Sequence, residues 1–500
     1  MSPASGAGVP SRAKTDPEVT AEMGHKARNH WSAADPARTA LLLVLRITLA
    51  CSARNGIERL RRRCPGRQTG AQEVTTGEAT STPRPVTHPG GGSLRRRFGA
   101  LDGLRAFGAL AVLCTHVGFD SGDALRGPFA GLLSRLDAGV AIFFVISGFL
   151  LYRPHLIALA EARPRPATRN YLWHRALRIM PALWIATALA AFLLPQPPQV
   201  TLAWYLRHAA LIQIYFPAHQ VGGLTQMWSL ATEGAFYVSL PLFAWFMSRR
   251  GFSNRRQVRQ QLIVLGVFAI GGPLWKAVMS SPEHASTGLW LPGYLGWFGA
   301  GMSLAVWQVA RSEGLIPDGV IGKLADNPGT VWAGALAVFA LSTSSLAGPY
   351  DLSPATPGQA ATKSVLYAAL AILIVFPAVA AVDESNEPAV VRALGGRVGH
   401  FLGDISYGVF AYHVVVLGVV ELLLGHVVFT GGFPTLFWLT LSLSVILATL
   451  SYRLVERPIM RRGRRDRRFD VSPSLDDDPK NASSRKAVAP ANVNANNVKD

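Results

Sequence analysis

Between Leu94 and Arg462 the chain carries a succession of apolar segments, each long enough, or nearly so, to cross the ~30 Å hydrocarbon layer of a bilayer. Lipid offers no partners for free backbone N–H and C=O groups, so each such segment has to be a helix rather than an open strand. The segments fall at residues 99–118, 136–152, 172–194, 224–247, 262–279, 289–310, 330–346, 365–382, 402–424 and 433–452. They predict an all-α fold, a polytopic membrane protein with about ten transmembrane helices. Composition agrees: only 16% of the residues are charged, where a soluble domain carries roughly a quarter.

The remainder divides around this block. Residues 1–94 are basic and rich in Ser, Thr, Pro and Gly, and read as disordered. Within them 39–53 is apolar but too short to span and is interrupted by Arg46, which suits an interfacial helix. An integral-membrane domain is expected over 95–460 and a disordered tail over 461–500. Residues 200–216, with Arg207 and His208 in the middle, read as an amphipathic or re-entrant piece. Three cysteines, Cys51, Cys64 and Cys114, form no disulfide framework.

The net charge of +19 might suggest nucleic acid, but the cations sit in runs that flank the apolar segments. Arginine clusters follow the second, fourth and last segments and precede the first. With ten spans all four fall on one side, while 280–288 and 425–432 are free of Lys and Arg. The positive-inside rule then puts both termini in the cytoplasm, with the plasma membrane as location, membrane lipid as a partner and no nucleic acid partner.

Ionisable residues inside spans are expensive, and each is a candidate for function. Arg105 and His116 share the first span. Eleven residues at ~100° each return to within about 20° of one face, so the pair lines one stripe, roughly 16 Å apart in depth. Singly, Arg105 would snorkel to the surface and His116 would bond between helices. Together with Glu233, placed about two turns into the fourth span and near the same depth as His116, they favour a functional site. The Glu233 carboxylate would orient the imidazole or bind an acceptor hydroxyl, its structural alternative being a buried acid held by Ser, Thr or Tyr. Arg175 and Arg178, three apart at the start of the third span, would project to one side as phosphate ligands. Pro181 beyond them is expected to kink the helix.

Other polar residues are weaker signals. Ser147 and Gly148 lack a nucleophile elbow and suit close helix packing. The segment from Gly403 to Tyr407, with His413, and the group Tyr452, Glu456, Arg457 and Pro458 read as capping and pairing. There is no phosphate-binding loop, no dinucleotide fingerprint and no zinc spacing, so no metal is expected.

In order along the chain, Leu101-Asp102-Gly103-Leu104-Arg105 with His116, Phe143 to Phe149, Arg175-x-x-Arg178 with Pro181, Trp228-Ser229-Leu230 with Glu233, Gly403 to Tyr407 with His413, and Glu456-Arg457-Pro458 resemble the integral-membrane acyltransferase 3 family. That family includes bacterial O-acetyltransferases of surface polysaccharide and antibiotic-modifying acyltransferases. Ala231-Thr232 before the Glu depart from its more usual residues. The resemblance implies an acyl-CoA donor, most simply acetyl-CoA, as substrate and no permanently bound cofactor. It also implies a carbohydrate or other hydroxyl acceptor. His116 would be general base, Glu233 its catalytic partner or the acceptor's, and Arg105, Arg175 and Arg178 the donor-binding residues. Some relatives add a hydrolase-like domain after the helices, so any second step is expected from a partner. The rival class is a transporter or exporter of a glycolipid or small molecule. No internal repeat supports it, and most of the polar motifs lie before Tyr237.

Overall fold

The structure, a computed structural model, describes residues 97–197, 200–216, 221–317, 319–350, 353–380 and 387–465. The chain divides into two units, residues 1–85 and 86–500, and every described residue belongs to the second. The expected interfacial helix at 39–53, Cys51, Cys64, and the terminal region and tail read as disordered lie outside the described residues, apart from the first few residues of the tail.

Long helices stand at all ten expected positions: α1 (Ala100–Ser121), α2 (Gly139–Ala160), α3 (Thr168–Leu193), α4 (Met227–Ser248), α5 (Arg255–Val278), α6 (Leu295–Ser312), α7 (Pro328–Ser342), α8 (Pro357–Ala380), α9 (Arg397–Leu424) and α10 (Phe433–Ser451). No strand occurs among the described residues. Eight of the helices among the described residues are long and apolar enough to cross a membrane. The other two are α6, with 18 residues, and α7, with 15. At 1.5 Å per residue they reach about 27 and about 22 Å. α6 is long enough but less apolar than the others, with Gln308 and Arg311 near its end; it lies against α2, α5 and α8, so protein rather than lipid covers much of it.

Small residues set the tightest crossing, between α2 and α6. A Cβ on Gly301 would overlap the Val145 carbonyl oxygen, and one on Gly148 would overlap that of Phe298. Backbones that approach this closely gain the dispersion contact that lipid cannot supply preferentially to either helix. Phe298 then stacks between Phe144 of α2 and Phe236 of α4, with ring centroids 4.4 and 4.0 Å away. α4 is thereby locked onto the same core. Gly403 of α9 likewise abuts Asp102 of α1, and Gly408 abuts Ala448 of α10.

The segment read as amphipathic or re-entrant contains a short helix, Leu202–Ala209. Eight residues cannot span. Trp204 and His208 are buried while Leu202 and Leu206 are exposed. Arg207 rests over the Trp204 and Phe216 rings, at 4.6 and 4.0 Å, which accommodates a cation in apolar surroundings. Burial holds the His208 imidazole below its ordinary pKa. In α3 the helix continues through Pro181, and nearby the Ile179 carbonyl accepts the Tyr407 hydroxyl of α9 at 2.7 Å.

The α2–α6 crossing should tolerate no side chain. Gly301→Val is expected to remove most of the monodisperse protein recovered in mild detergent, since overpacking costs at least about 1–3 kcal/mol. Gly271→Ala, on α5 where nothing lies within 4 Å of the added carbon, should leave recovery unchanged. Size-exclusion chromatography of the two variants checks this.

Candidate active site

α1 begins at the basic end of the bundle and carries Asp102 and Arg105 in its first turns. Arg105 Nη1 donates to Asp102 Oδ1 at 2.9 Å, and the other carboxylate oxygen lies 2.6 Å from His400 Nδ1 on α9. Arg105 is also close enough to Arg175 and Arg178 of α3 for their charges to repel. The structure therefore brings together the three arginines singled out in the sequence.

The two guanidiniums on α3 are poorly compensated. Neither Arg175 nor Arg178 forms an ion pair among the described residues, although Glu456 lies within electrostatic reach of Arg178. Beside them opens a cavity of about 430 Å³, lined by His155, Asn170, Tyr171, His174, Arg175 and Arg178 among others. Three polar atoms on its lining residues are buried without a hydrogen-bond partner: Arg175 Nε, Tyr171 Oη and His155 Nδ1. Buried polar atoms are nearly always satisfied in a folded chain, so three unsatisfied ones on residues lining a cationic cavity mark it as a candidate binding site.

Glu233 does not meet His116. Its Oε1 accepts from Ser147 Oγ of α2 and from Tyr237 Oη, the latter at 2.6 Å. Ser147, read from sequence as a packing residue, is thus a carboxylate ligand, while Gly148 beside it does serve packing. Tyr237 ties the acid to the arginines, since both Arg105 and Arg175 lie within its electrostatic reach. Both bonds fall on one oxygen, which leaves Oε2 able to accept from a hydroxyl.

His116 stands eleven residues above Arg105 and faces into the bundle. Phe107 and Leu110, ~200° and ~140° around the helix from Arg105, are the exposed positions of α1, at 48% and 38%. The His116 ring instead lies against His413 of α9, with centroids 5.1 Å apart and planes at 52°. The carboxylate whose charge acts on His116 is Asp137, just before α2. Asp137 is itself held by Tyr367 Oη and by Lys363 Nζ, the latter at 2.8 Å. Sequence reasoning passed over His413 and Asp137 as neighbours of His116. The match in depth for His413 emerges only from the helix bounds of the structure: it stands 16 residues after the start of α9, as His116 does after the start of α1. Asp137 is the second residue of the apolar segment 136–152, an ionisable group at the very edge of a span that was not singled out.

Comparison with known proteins follows the same span. A family model described as an acyltransferase domain, that of the acyltransferase 3 family, matches residues 98–453. The chain is 25% identical over 390 residues to Nodulation protein 10 of Rhizobium leguminosarum bv. viciae, covering 72% of this chain and 92% of that protein. It is 28% identical over 340 residues to the exopolysaccharide production protein ExoZ of Rhizobium meliloti (strain 1021), covering 65% and 90%. A shorter match, 28% over 201 residues, is to the O-acetyltransferase OatA of Staphylococcus aureus (strain NCTC 8325 / PS 47), covering 35% of this chain and 29% of that protein. No solved structure matches significantly. Because the family match runs from the residues before α1 to the π-helical turn that follows α10, it takes in every helix of the bundle, and the chain belongs to the acyltransferase 3 family of membrane-bound O-acyltransferases.

Proposed function

We propose that the protein moves an acyl group, most simply acetyl, from acyl-CoA onto a hydroxyl of a carbohydrate acceptor, with the donor entering from the cytoplasmic side of the plasma membrane. The observation that carries this proposal is the cavity bounded by Arg175 and Arg178, with Arg105 close by and with unsatisfied buried donors around it. The charge of a nucleotide diphosphate complements the clustered guanidiniums. The carbohydrate acceptor draws support from two relatives, one named for exopolysaccharide production and one as an O-acetyltransferase.

In this mechanism Arg105, Arg175 and Arg178 hold the donor phosphates. The pantetheine arm runs up the α1 stripe, whose ~16 Å between Arg105 and His116 suits its length. His116 takes the proton of the acceptor hydroxyl as that oxygen attacks the thioester carbonyl. The C–S bond breaks, an ester forms, and the departing thiolate takes the proton from the imidazolium. Glu233, bonded to Ser147 and Tyr237 rather than to His116, is assigned the acceptor: its free Oε2 accepts from a hydroxyl of the sugar. The basic end of the bundle is cytoplasmic in this proposal, and with it both termini.

Protein purified in detergent with labelled acetyl-CoA and envelope glycan should yield acylated glycan; a carrier yields none. His116→Ala should lower turnover by at least about 100-fold while leaving the protein folded. Near-normal turnover in that variant would remove the base assignment. Arg175→Ala should raise the KM for acetyl-CoA about 10-fold or more, the loss of a charge-assisted pair of about 1.5–3 kcal/mol. Glu233→Gln should raise the acceptor KM and leave the donor KM alone, and the reverse pattern would place Glu233 on the donor. Tags at either terminus should resist protease added to intact spheroplasts and be cleaved once the membrane is opened.

A further inference from the structure

We propose that His413 is a positioning residue for His116, a second imidazole that holds the first in one tautomer and orientation; this rests on His116 acting as the base. His413 lies on α9 with no exposed surface. Its Nδ1 faces two backbone carbonyls, Phe410 O at 2.8 Å and Val409 O at 3.2 Å. A carbonyl oxygen only accepts, so Nδ1 carries the proton. The remaining nitrogen, Nε2, is therefore a bare acceptor. It is buried and has no hydrogen-bond partner.

The ring set against it is His116, with centroids 5.1 Å apart. Each imidazole nitrogen sits a little over an ångström from its ring centroid, so two rings joined by an N–H···N bond of ordinary length stand ~5.2 Å apart. The observed separation is short enough for a shared hydrogen bond, which the tilted rings do not make in the structure. His413 is pinned by its backbone carbonyls, whereas His116 is half-buried and carries no hydrogen bond of its own among the described residues. A turn about the broad terminal torsion of His116 closes the contact.

Closing it settles which His116 nitrogen does chemistry. One N–H donates to His413 Nε2, and the other nitrogen is left bare toward the acceptor hydroxyl. When His116 takes the acceptor's proton, the same bond becomes charge-assisted and strengthens as the reaction proceeds. His413 supplies here the orienting contact that Glu233, occupied with Ser147 and Tyr237, does not make. Phe410 and Phe143 pack beside the pair, their rings 5.6 Å apart and Phe410 5.9 Å from His413, and limit its movement.

The test uses the full chain in membrane vesicles of its own host, with labelled acetyl-CoA and label in the glycan fraction as readout. The amide oxygen of His413→Gln reaches the place of Nε2, whereas the side chain of His413→Asn ends near Nδ1. The Gln variant should keep activity within about 10-fold of wild type. The Asn variant should lose about 100-fold at saturating acetyl-CoA with its KM unchanged, the range over which orienting partners act. Equal activity in the two variants, high or low, overturns the proposal, as does a loss confined to KM. In a His116→Ala background the Asn change should lower the residual rate no further, and a further loss would place His413 on the substrate instead. Failure of the base assignment is read separately, from turnover in His116→Ala alone.

Discussion

The close crossing of α1 and α9 holds the site. Gly403 lets the α9 backbone come against Asp102, and that approach puts His400 within bonding distance of the Asp102 carboxylate, which also holds Arg105. Two helices that stay in contact over several turns keep their relative register, since each rises by the same 1.5 Å per residue. The contact at the basic end therefore also sets His413 beside His116 further along. The second close crossing, α2 on α6 through Gly148 and Gly301, works in the same manner for Ser147, which it holds toward α4 and Glu233. Small residues at crossings and polar residues one position away are thus parts of one arrangement.

Charge is distributed unevenly along this scaffold. Near the start of α1 and α3 three guanidiniums repel one another, with Asp102 bonded to one and Glu456 within reach of another. Such a cluster is destabilising when empty, and any anion bound there would relieve it and stabilise the fold. Farther along, around the imidazoles, the polar groups are sparse and mostly satisfied: Asp137 has Tyr367 and Lys363, and Thr115 donates to the Leu133 carbonyl at 2.9 Å. Among the unsatisfied buried atoms is His413 Nε2.

How far the site could be read in advance depended on which residues share an element. Arg105 and His116 lie on one helix, where angular spacing follows from the helical repeat, and their common face was legible from numbering alone. Arg175 and Arg178 were legible for the same reason. Glu233 was expected near His116 because the two have similar depths in their spans, but depth leaves the helix's rotation and neighbours open. Packing of Phe298 between Phe144 and Phe236 fixes α4 so that Glu233 meets Ser147 and Tyr237 instead.

By itself the sequence determined that this chain is a bundle of membrane helices and which residues of each helix share a face, because backbone hydrogen bonding in lipid and the helical repeat are local constraints. It also placed the family, through motifs that recur in order. Only the tertiary structure decided that His116 faces His413, that Glu233 faces Ser147, and that unsatisfied donors gather around the cavity at the arginines. Those contacts join residues far apart in the chain, and their partners are chosen by helix rotation and packing, which no local spacing encodes.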